Sequence, residues 1–373
     1  MWSRVCRGIY DHERGEKMSV FFIAEAGVNH NSSIALAKEL IDAASDAGAD
    51  AVKFQTFTAE TLLTKDAEKA SYQLLTTQKS ESQYDMIRSL ELDYEAHKTL
   101  IEYCNLKNIR FLSTPFDIKS LKMLVRQLCL KTIKIPSGEL TNGPFLLQAA
   151  KMGKKVILST GMSNLNEIER ALKIINFGFE RPQSEFNFSH AEDLYSEIRS
   201  SSSLRKRVTL LHCTTEYPAP PSEVNLKAMQ TMKKKFGLDV GYSDHTEGIH
   251  IPIAAVAMGA TLIEKHFTID RSLPGPDHKA SIEPHQLKSL INNIKELEVA
   301  FGDGEKTPTK SELKNIPIIR KSLVATTQIK KGEKFTEENI TTKRPGSGKS
   351  PMEYWDLIGQ TSSRNYSNGD LIE

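Results

Sequence analysis

Eight short apolar runs, each followed by a helix-length segment, restrict the fold of this chain more than any other feature of its sequence. The runs are rich in β-branched residues, and repeated strand–helix units predict parallel strands joined by right-handed crossovers. Eight units in about 280 residues favour a closed α/β fold, the (β/α)8 TIM barrel, over an open doubly wound sheet. No GxGxxG motif follows the first run, as a dinucleotide-binding sheet would require. The predicted strands are 19–27, 50–57, 109–116, 132–138, 155–161, 208–215, 239–246 and 261–268.

The segment after the first strand shows the helical pattern. Its apolar residues, from Ile34 to Ala44, recur at helical spacing. Ser32 or Ser33 is placed to cap the start of this helix, and Gly48 is placed to end it. Similar patterns predict helices over 81–106, 164–176, 222–235 and 284–300.

Changes in composition and in apolar periodicity along the chain predict the domain organisation. The barrel is expected to span residues 19–301, after a disordered leader of residues 1–18. The polar, Ser-rich segment 177–207 is interpreted as a long insertion before the sixth strand. Residues 302–315 lose apolar periodicity and are predicted to be a linker. Short apolar runs broken by turns such as KKGE and SNGD predict a small, mostly β domain over 316–373.

Composition excludes several classes of protein. The net charge is +2, from 49 basic and 47 acidic residues, which gives no reason to expect a nucleic-acid or membrane partner. No apolar run is long enough for a transmembrane helix, and the leader lacks the apolar core of a signal peptide. The four scattered cysteines are interpreted as unpaired, which is typical of a reducing compartment and predicts a cytoplasmic location.

Polar residues follow the predicted strands at their C-terminal ends, where TIM barrels carry their active sites. The strand middles are apolar, so this polar ring is a candidate site. It contains Glu25, Asn29, His30, Lys53, Gln55, Ser113, Thr114, Lys134, Ser137, Glu139, Ser159, Thr160, His212, Thr214, Thr215, Tyr217, Ser243, Asp244, His245, Glu264, Lys265 and His266.

Two histidines of the ring are candidate metal ligands. Side chains two apart on a strand share a face, so His245 lies on the face of Ser243 and His266 on the face of Glu264. Neutral imidazoles on neighbouring strand ends can converge on a divalent cation and leave positions open for substrate. A hydrogen-bonded rim residue is the alternative for either histidine alone. Lys265 has the opposite parity, so we expect it to face the surrounding helices without a catalytic role, while Glu264 is expected to orient a neighbour.

Two strand-end lysines, Lys53 and Lys134, predict an anion site, although a single such lysine is more often a surface charge. Their ammonium groups and nearby hydroxyls can enclose a phosphate or a carboxylate. Glu25 and Asp277 are candidate carboxylates for contacts with a sugar or a metal-bound water. The turns of LPGPDHKAS, 273–281, are expected to hold Asp277 stiffly over the rim. The hydroxyl groups are those of Thr114, Ser137, Ser159 and Ser243.

Eight motifs occur in order along the predicted barrel: IAEAGVNHNS, KFQTF, LSTPF, KIPSGE, ILSTGMS, LLHCTTEYPAP, GYSDHTEGI and EKHFTIDRSLPGPDHKAS. Together they resemble the sialic acid synthases, a family that includes N-acetylneuraminate and N,N′-diacetyllegionaminate synthases. The C-terminal stretches KSLVATTQIKKGE and ITTKRPGSG resemble the antifreeze-like (SAF) domain appended to those enzymes. The resemblance covers residues 19–373.

The resemblance implies that phosphoenolpyruvate condenses with the open-chain aldehyde of N-acetylmannosamine, giving N-acetylneuraminate and releasing phosphate by C–O cleavage. It implies His245 and His266 as ligands of Mn²⁺ or Mg²⁺, and as catalytic residues together with Glu25 and Asp277. A domain-swapped homodimer is also implied, because the SAF domain of the family reaches the barrel of the other subunit. The implied phosphoenolpyruvate contacts are Lys53, Thr114, Lys134, Ser137, Ser159 and Ser243. The implied contacts around the sugar are Glu25, Gln55, Glu139, Thr215, Tyr217, Asp277 and Arg344.

Departures from the family leave the sugar open. Thr215 stands where a known member has Asn, Ile318 stands near a position that is aromatic there, and the segment 69–87 lacks an expected Asn-bearing loop. The alternative substrate is 2,4-diacetamido-2,4,6-trideoxymannose, which gives a legionaminic acid precursor. A different class, a Schiff-base pyruvate aldolase with Lys134 as nucleophile, is disfavoured by the histidine pair. A non-catalytic binder of ice or glycan is disfavoured by ionisable tail residues such as Lys330.

Overall fold

The computed structural model describes residues 19–65, 67–69, 82–197 and 202–373. The predicted leader lies outside the described residues, and so do residues 70–81 of the segment in which the Asn-bearing loop is missing. The predictions about these two segments therefore stay predictions.

Eight parallel strands form a single sheet, which confirms the predicted TIM barrel. The strands are β1 Phe21–Gly27, β2 Ala51–Thr56, β3 Arg110–Pro115, β4 Thr132–Ile135, β5 Lys155–Ser159, β6 Val208–His212, β7 Asp239–Asp244 and β8 Leu262–His266. Their order in the sheet is β3-β2-β1-β8-β7-β6-β5-β4, and β3 and β4, the two ends, lie in contact. The sheet is therefore nearly closed. β1 ends at Gly27 as predicted, whereas the other seven strands end earlier than their apolar runs predict, because the last residues of those runs form the loops at the C-terminal rim.

Helices surround the strands. They are α1 Ile34–Ala47, α2 Ala59–Leu62, α3 Gln83–Ser89, α4 Tyr94–Leu106, α5 Ile118–Lys122, α6 Gly143–Lys151, α7 Leu165–Glu180, α8 Phe188–Glu197, α9 Ser202–Arg207, α10 Lys227–Phe236, α11 His250–Ala257 and α12 Pro284–Ala300. The Ser33 side chain accepts a hydrogen bond from the Leu36 amide at the start of α1, and Gly48 ends it in the left-handed conformation. Both predicted ends of this helix are confirmed.

Inside the barrel, a layer of buried apolar side chains lies directly below the polar ring. Ile23, Leu112, Ile157 and Leu262 belong to a buried cluster separate from the main core between strands and helices. Side chains two residues further along a strand share the same face. These next positions are Glu25, Thr114, Ser159 and Glu264, all buried. The barrel interior therefore changes from apolar to polar within one residue layer, and the polar layer lies at the C-terminal end.

The segment 177–207 is more helical than a polar insertion suggests. α7 extends through Glu180, and α8 and α9 follow before β6. Phe177, Phe186 and Phe188 make two edge-to-face ring contacts there, so aromatic packing organises a stretch whose composition is mostly polar.

A second compact unit, Phe301–Glu373, follows the barrel unit that ends at Ala300. It contains the antiparallel strands β9 Ser322–Ala325 and β10 Ile340–Lys343 and its own apolar core. This agrees with the predicted small, mostly β domain. The predicted linker includes one of the unit's short helices, which are α13 Lys310–Leu313, α14 Ile316–Ile319 and α15 Tyr354–Leu357.

Two further expectations concern cysteines and membranes. Cys104 and Cys213 are free and buried, but Cys129 is disulfide-bonded, so the interpretation of all cysteines as unpaired is wrong for Cys129. Among the described helices, none combines the length and the apolar character needed to cross a membrane.

Candidate active site

Because alternate residues of a strand face opposite sides, the polar ring divides into residues that face the barrel interior and residues that face the helices. The inward set occupies the barrel interior, whereas the outward set makes scaffold contacts. The Ser113 hydroxyl lies 2.6 Å from the Thr56 hydroxyl, which lies 2.7 Å from His97 Nε2 of α4. His212 Nε2 donates to the Val224 carbonyl. The outward residues therefore hold helices and loops against the strands. The inward set is Glu25, Lys53, Thr114, Lys134, Ser159, Ser243 and Glu264.

Two lysines and two glutamates form a buried ion cluster inside the barrel. Lys53 Nζ lies 2.8 Å from Glu25 Oε2 and 3.7 Å from Glu264 Oε1, and it donates to Thr114 Oγ1 at 2.9 Å. Lys134 Nζ donates to Glu264 Oε1 at 3.0 Å. The two lysines predicted to bind an anion thus lie together, and Glu264 Oε1 is in contact with both ammonium groups.

The pKa values of this cluster are unequal. Burial raises the pKa of Glu25 to about 7, although Lys53 opposes the shift. Burial also disfavours ionised Glu264, but Lys134 and Lys53 hold its pKa at about 2. Burial lowers the pKa of Lys134, whereas the two carboxylates raise that of Lys53 in spite of its burial. The cluster carries a net positive charge when both lysines are protonated and Glu25 is neutral, and it can then attract an anion.

His245 and His266 lie side by side at the rim, as their strand positions predict. Their ring centroids are 5.5 Å apart and the ring planes are inclined by 72°. His245 Nδ1 lies 2.6 Å from the Thr214 carbonyl oxygen. A carbonyl oxygen can only accept, so the proton is on Nδ1 and a lone pair remains on Nε2, 3.4 Å from Ser243 Oγ. His266 Nδ1 is buried, has no hydrogen-bond partner among the described residues, and lies 3.9 Å from Asp277 Oδ2.

These two rings fit a divalent cation. Burial lowers the pKa of His245 to about 4, and burial together with His245 holds the pKa of His266 well below its ordinary value. Both imidazoles are therefore neutral at pH 7, which is the form that binds metal. The described residues contain no group of three His, Cys, Asp or Glu side chains arranged to hold a metal ion. The pair would therefore supply two ligands and leave the other positions to substrate and water.

Tyr217 packs on both histidines. Its ring stacks on His245 at a centroid distance of 4.1 Å and meets His266 edge-on at 5.5 Å. The family resemblance predicts a contact between Tyr217 and the sugar, and in the structure its ring packs against the histidine pair.

The loop that carries Asp277 is hydrogen-bonded to the turn after β1. Asn31 Nδ2 donates to the Pro274 carbonyl at 2.8 Å, and Asn29 Nδ2 donates to Ser281 Oγ at 2.9 Å. Ser281 Oγ in turn donates to the Asp277 carbonyl at 2.7 Å. Burial raises the pKa of Asp277 to about 6. Side-chain hydrogen bonds therefore connect this loop to the turn after β1, and the sequence signal for them is the pair of asparagines soon after the first strand.

Gly161 separates two predicted substrate contacts, Ser137 and Thr215. The Gly161 amide donates to Ser137 Oγ at 3.0 Å, and Cys213 Sγ lies 3.2 Å from the same oxygen. A Cβ atom at Gly161 would lie 2.8 Å from Ser137 Oγ and still closer to Thr215 Oγ1. Only glycine fits between these hydroxyls, a requirement that sequence reasoning missed.

Three further predicted site residues, Gln55, Glu139 and Arg344, lie outside the ion cluster and the histidine pair. Gln55 Nε2 donates to Glu25 Oε1 at 3.3 Å. Glu139 is half-buried in the turn after β4, where burial raises its pKa and Asn142 donates to it at 2.6 Å. Arg344 is exposed and belongs to the second unit.

Comparisons with known proteins give consistent matches to both units. Residues 40–306 match the NeuB family, and residues 320–373 match the SAF domain. The chain is 54% identical to the N,N′-diacetyllegionaminic acid synthase of Campylobacter jejuni, over 94% of this chain and 98% of that protein. It is 45% identical to the enzyme of the same name from Legionella pneumophila, over 96% of this chain and 95% of that protein.

A solved structure is also similar. It is the N-acetylneuraminic acid (sialic acid) synthetase of Leptospira borgpetersenii in complex with citrate, with a TM-score of 0.63 and 35% identity. The match covers 80% of this chain and 90% of that one.

Proposed function

Because the chain belongs to the NeuB family, we propose that it is a synthase of the sialic acid type. It condenses phosphoenolpyruvate with the open-chain aldehyde of an N-acetylated amino sugar and releases phosphate by C–O cleavage. The observation that carries this proposal is the position of two neutral imidazoles at the same rim as a buried cluster of two lysines and two glutamates. A Schiff-base aldolase would need one lysine, and it would leave the histidine pair without a role.

The two lysines bind phosphoenolpyruvate in this proposal. Lys53 and Lys134 are buried and already oriented by Glu264. Preorganised cations in a site that excludes water favour a ligand with a phosphate and a carboxylate more strongly than exposed cations do. The hydroxyls of Thr114, Ser159 and Ser243 complete the cage, since all three side chains are buried on the inward face.

In this proposal the histidine pair serves to activate the aldehyde group of the sugar. His245 and His266 would hold Mn²⁺ or Mg²⁺, which supplies Lewis-acid polarisation of the aldehyde oxygen toward attack by the methylene carbon of phosphoenolpyruvate. Tyr217 restricts both rings by packing on them. Thr214 fixes the His245 tautomer through its carbonyl oxygen.

Glu25 is suited to the proton transfer of the hydration step. Water adds to the oxocarbenium carbon left after condensation, and its proton must leave. A carboxyl with a pKa of about 7 exchanges protons efficiently near neutral pH. Gln55 and Lys53 fix the orientation of this carboxyl. We assign Glu25 as proton acceptor and Asp277, 3.9 Å from His266, as a contact for the sugar or for water beside the histidine pair.

For the sugar, the relatives favour the second of the two substrates considered from the sequence. The proteins 54% and 45% identical to this chain are both named N,N′-diacetyllegionaminic acid synthases. We therefore propose 2,4-diacetamido-2,4,6-trideoxymannose as the preferred substrate, ahead of N-acetylmannosamine. The proposal also includes a cytoplasmic enzyme that acts as a domain-swapped homodimer, in which Arg344 reaches the sugar's N-acetyl group.

A comparison of phosphate release with the two sugars tests both the function and the sugar. Purified protein with Mn²⁺ and phosphoenolpyruvate is given each sugar separately, and phosphate release is followed. We expect turnover with both sugars and a higher kcat/KM for the diacetamido sugar. Equal or reversed kcat/KM values would overturn the sugar assignment, and absence of phosphate release with either sugar would overturn the function. Loss of turnover with a chelator separates this reaction from a metal-independent aldolase.

A further inference from the structure

A buried ion pair lies behind the two candidate metal ligands, and the proposed mechanism does not use it. Lys265 Nζ donates to Asp244 Oδ2 at 2.5 Å and to the Thr246 carbonyl oxygen at 2.5 Å. The Lys265 and Asp244 side chains are almost completely buried. Their parity is opposite to that of Glu264, so they lie on the outer side of the strands.

The Lys265–Asp244 ion pair is hydrogen-bonded to Thr246, so it connects the residues on either side of His245, and Lys265 is the residue directly before His266. Asp244 Oδ1 accepts hydrogen bonds from the Thr246 amide at 3.0 Å and from the Thr246 hydroxyl at 2.8 Å. Asp244 and Thr246 are the residues on either side of His245. Lys265, which directly precedes His266, therefore bonds to both neighbours of His245.

We propose that Lys265 and Asp244 are positioning residues that fix the separation and the tilt of the two imidazoles, and so set the affinity for the divalent cation. This inference rests on the metal site of the proposed function. The strands β7 and β8 pair through Ser243–Glu264 and Asp244–Lys265, and that pairing stops before the histidines reach the rim. The hydrogen bond from Lys265 to the Thr246 carbonyl oxygen extends the connection past the end of the ladder, and Asp244 Oδ1 holds Thr246 in place by accepting from its amide and hydroxyl.

Packing alone is a poor explanation of the ion pair. A buried ion pair contributes little net stability compared with apolar residues of similar volume. Residues that orient metal ligands, in contrast, typically change metal affinity by about 10–100-fold when they are replaced. A positioning role therefore predicts an effect on metal binding that is separable from the effect on stability.

The test is a Mn²⁺ titration of the full-length protein, read from the free-Mn²⁺ electron paramagnetic resonance signal. For Lys265→Met we expect the Kd for Mn²⁺ to rise about 10–100-fold. Phosphoenolpyruvate affinity measured without metal should change less than about threefold. Leu172→Ala is the matched control, because Leu172 is a fully buried core residue of α7. It should lower thermal stability while leaving the Kd for Mn²⁺ within about twofold of the unmodified value.

The double variant Asp244→Leu/Lys265→Met separates geometry from buried charge, and it also carries the test if Lys265→Met alone fails to fold. It leaves no unpaired charge, so stability should recover relative to the single variant. Mn²⁺ affinity should stay weak, because the bond to Thr246 is still missing. Recovery of Mn²⁺ affinity together with stability would overturn the inference, as would unmodified affinity in Lys265→Met. Failure of the unmodified protein to bind Mn²⁺ would overturn the metal site and this inference with it.

Discussion

Replacement of Glu25 by Gln should change how the stability of the barrel depends on pH. Burial raises the pKa of Glu25 from its ordinary value of 4.5 to about 7. Between these two pH values the unfolded chain releases a proton that the folded chain keeps, so the free energy of unfolding falls as the pH rises. A difference of about 2.5 pH units corresponds to about 3 kcal/mol. Glu25→Gln cannot release this proton, so we expect the variant's pH profile to lack the contribution of Glu25 and to keep only that of the other titrating groups.

The assay is urea unfolding at several pH values from 4.5 to 7.5, with near-ultraviolet circular dichroism as the probe. Unmodified protein should lose about 3 kcal/mol across this range relative to Glu25→Gln. Glu223→Gln is the control, since that residue is exposed and lies in the turn after β6. Parallel pH profiles for the unmodified protein and Glu25→Gln would refute the reasoning and remove the basis for Glu25 as a proton acceptor near neutral pH.

Three further predictions address the proposed anion site, the contact of Gly161 with the Ser137 and Thr215 hydroxyls, and the loop that carries Asp277. Lys134→Met should raise KM for phosphoenolpyruvate about 10–100-fold, because it removes a charge-assisted hydrogen-bond donor, and should leave KM for the sugar within about threefold. Steady-state kinetics measure both values. Equal effects on the two KM values would count against the anion site. Gly161→Ala should lose about 1–3 kcal/mol in chemical unfolding, because its Cβ would collide with Ser137, whereas Gly138→Ala, with no heavy atom within 4 Å of a Cβ, should be nearly neutral. Ser281→Ala removes the hydroxyl that joins Asn29 to the Asp277 carbonyl, so amide hydrogen exchange of the loop should accelerate and kcat should fall; unchanged exchange would show that the turns alone hold the loop.

The sequence was sufficient for the barrel and for most of the inward site. Apolar runs and helical segments alternate in a way that only a small number of folds accommodate, so all eight strands were located. Parity then predicted that His245 and His266 would lie together and that Lys265 would face outward. These successes share one cause: on a strand, the side chain's direction follows from sequence position alone.

The contacts that sequence reasoning missed join residues far apart in the chain. Lys265 and Asp244 are 21 residues apart, and their contact depends on the register between two strands. Asn29 and Ser281 are 252 residues apart, and they meet only because β1 and β8 are neighbours in a closed sheet. Register and closure are properties of the assembled barrel, and no local pattern encodes them.

The helices within the segment 177–207 were not predicted, for a different reason. Its serines and charges predict an insertion without indicating α8 and α9, or the edge-to-face contact between Phe177 and Phe186. Average polarity does not detect a small apolar contact of this kind.

The central claim is that His245 and His266 together bind a catalytic dication. Crystals grown with Mn²⁺ and phosphoenolpyruvate, measured at the manganese absorption edge, test it most directly. We expect one strong anomalous peak within about 2.0–2.3 Å of a ring nitrogen of each histidine. A manganese peak elsewhere in the barrel, or none at saturating Mn²⁺ in crystals that turn over substrate, would contradict it.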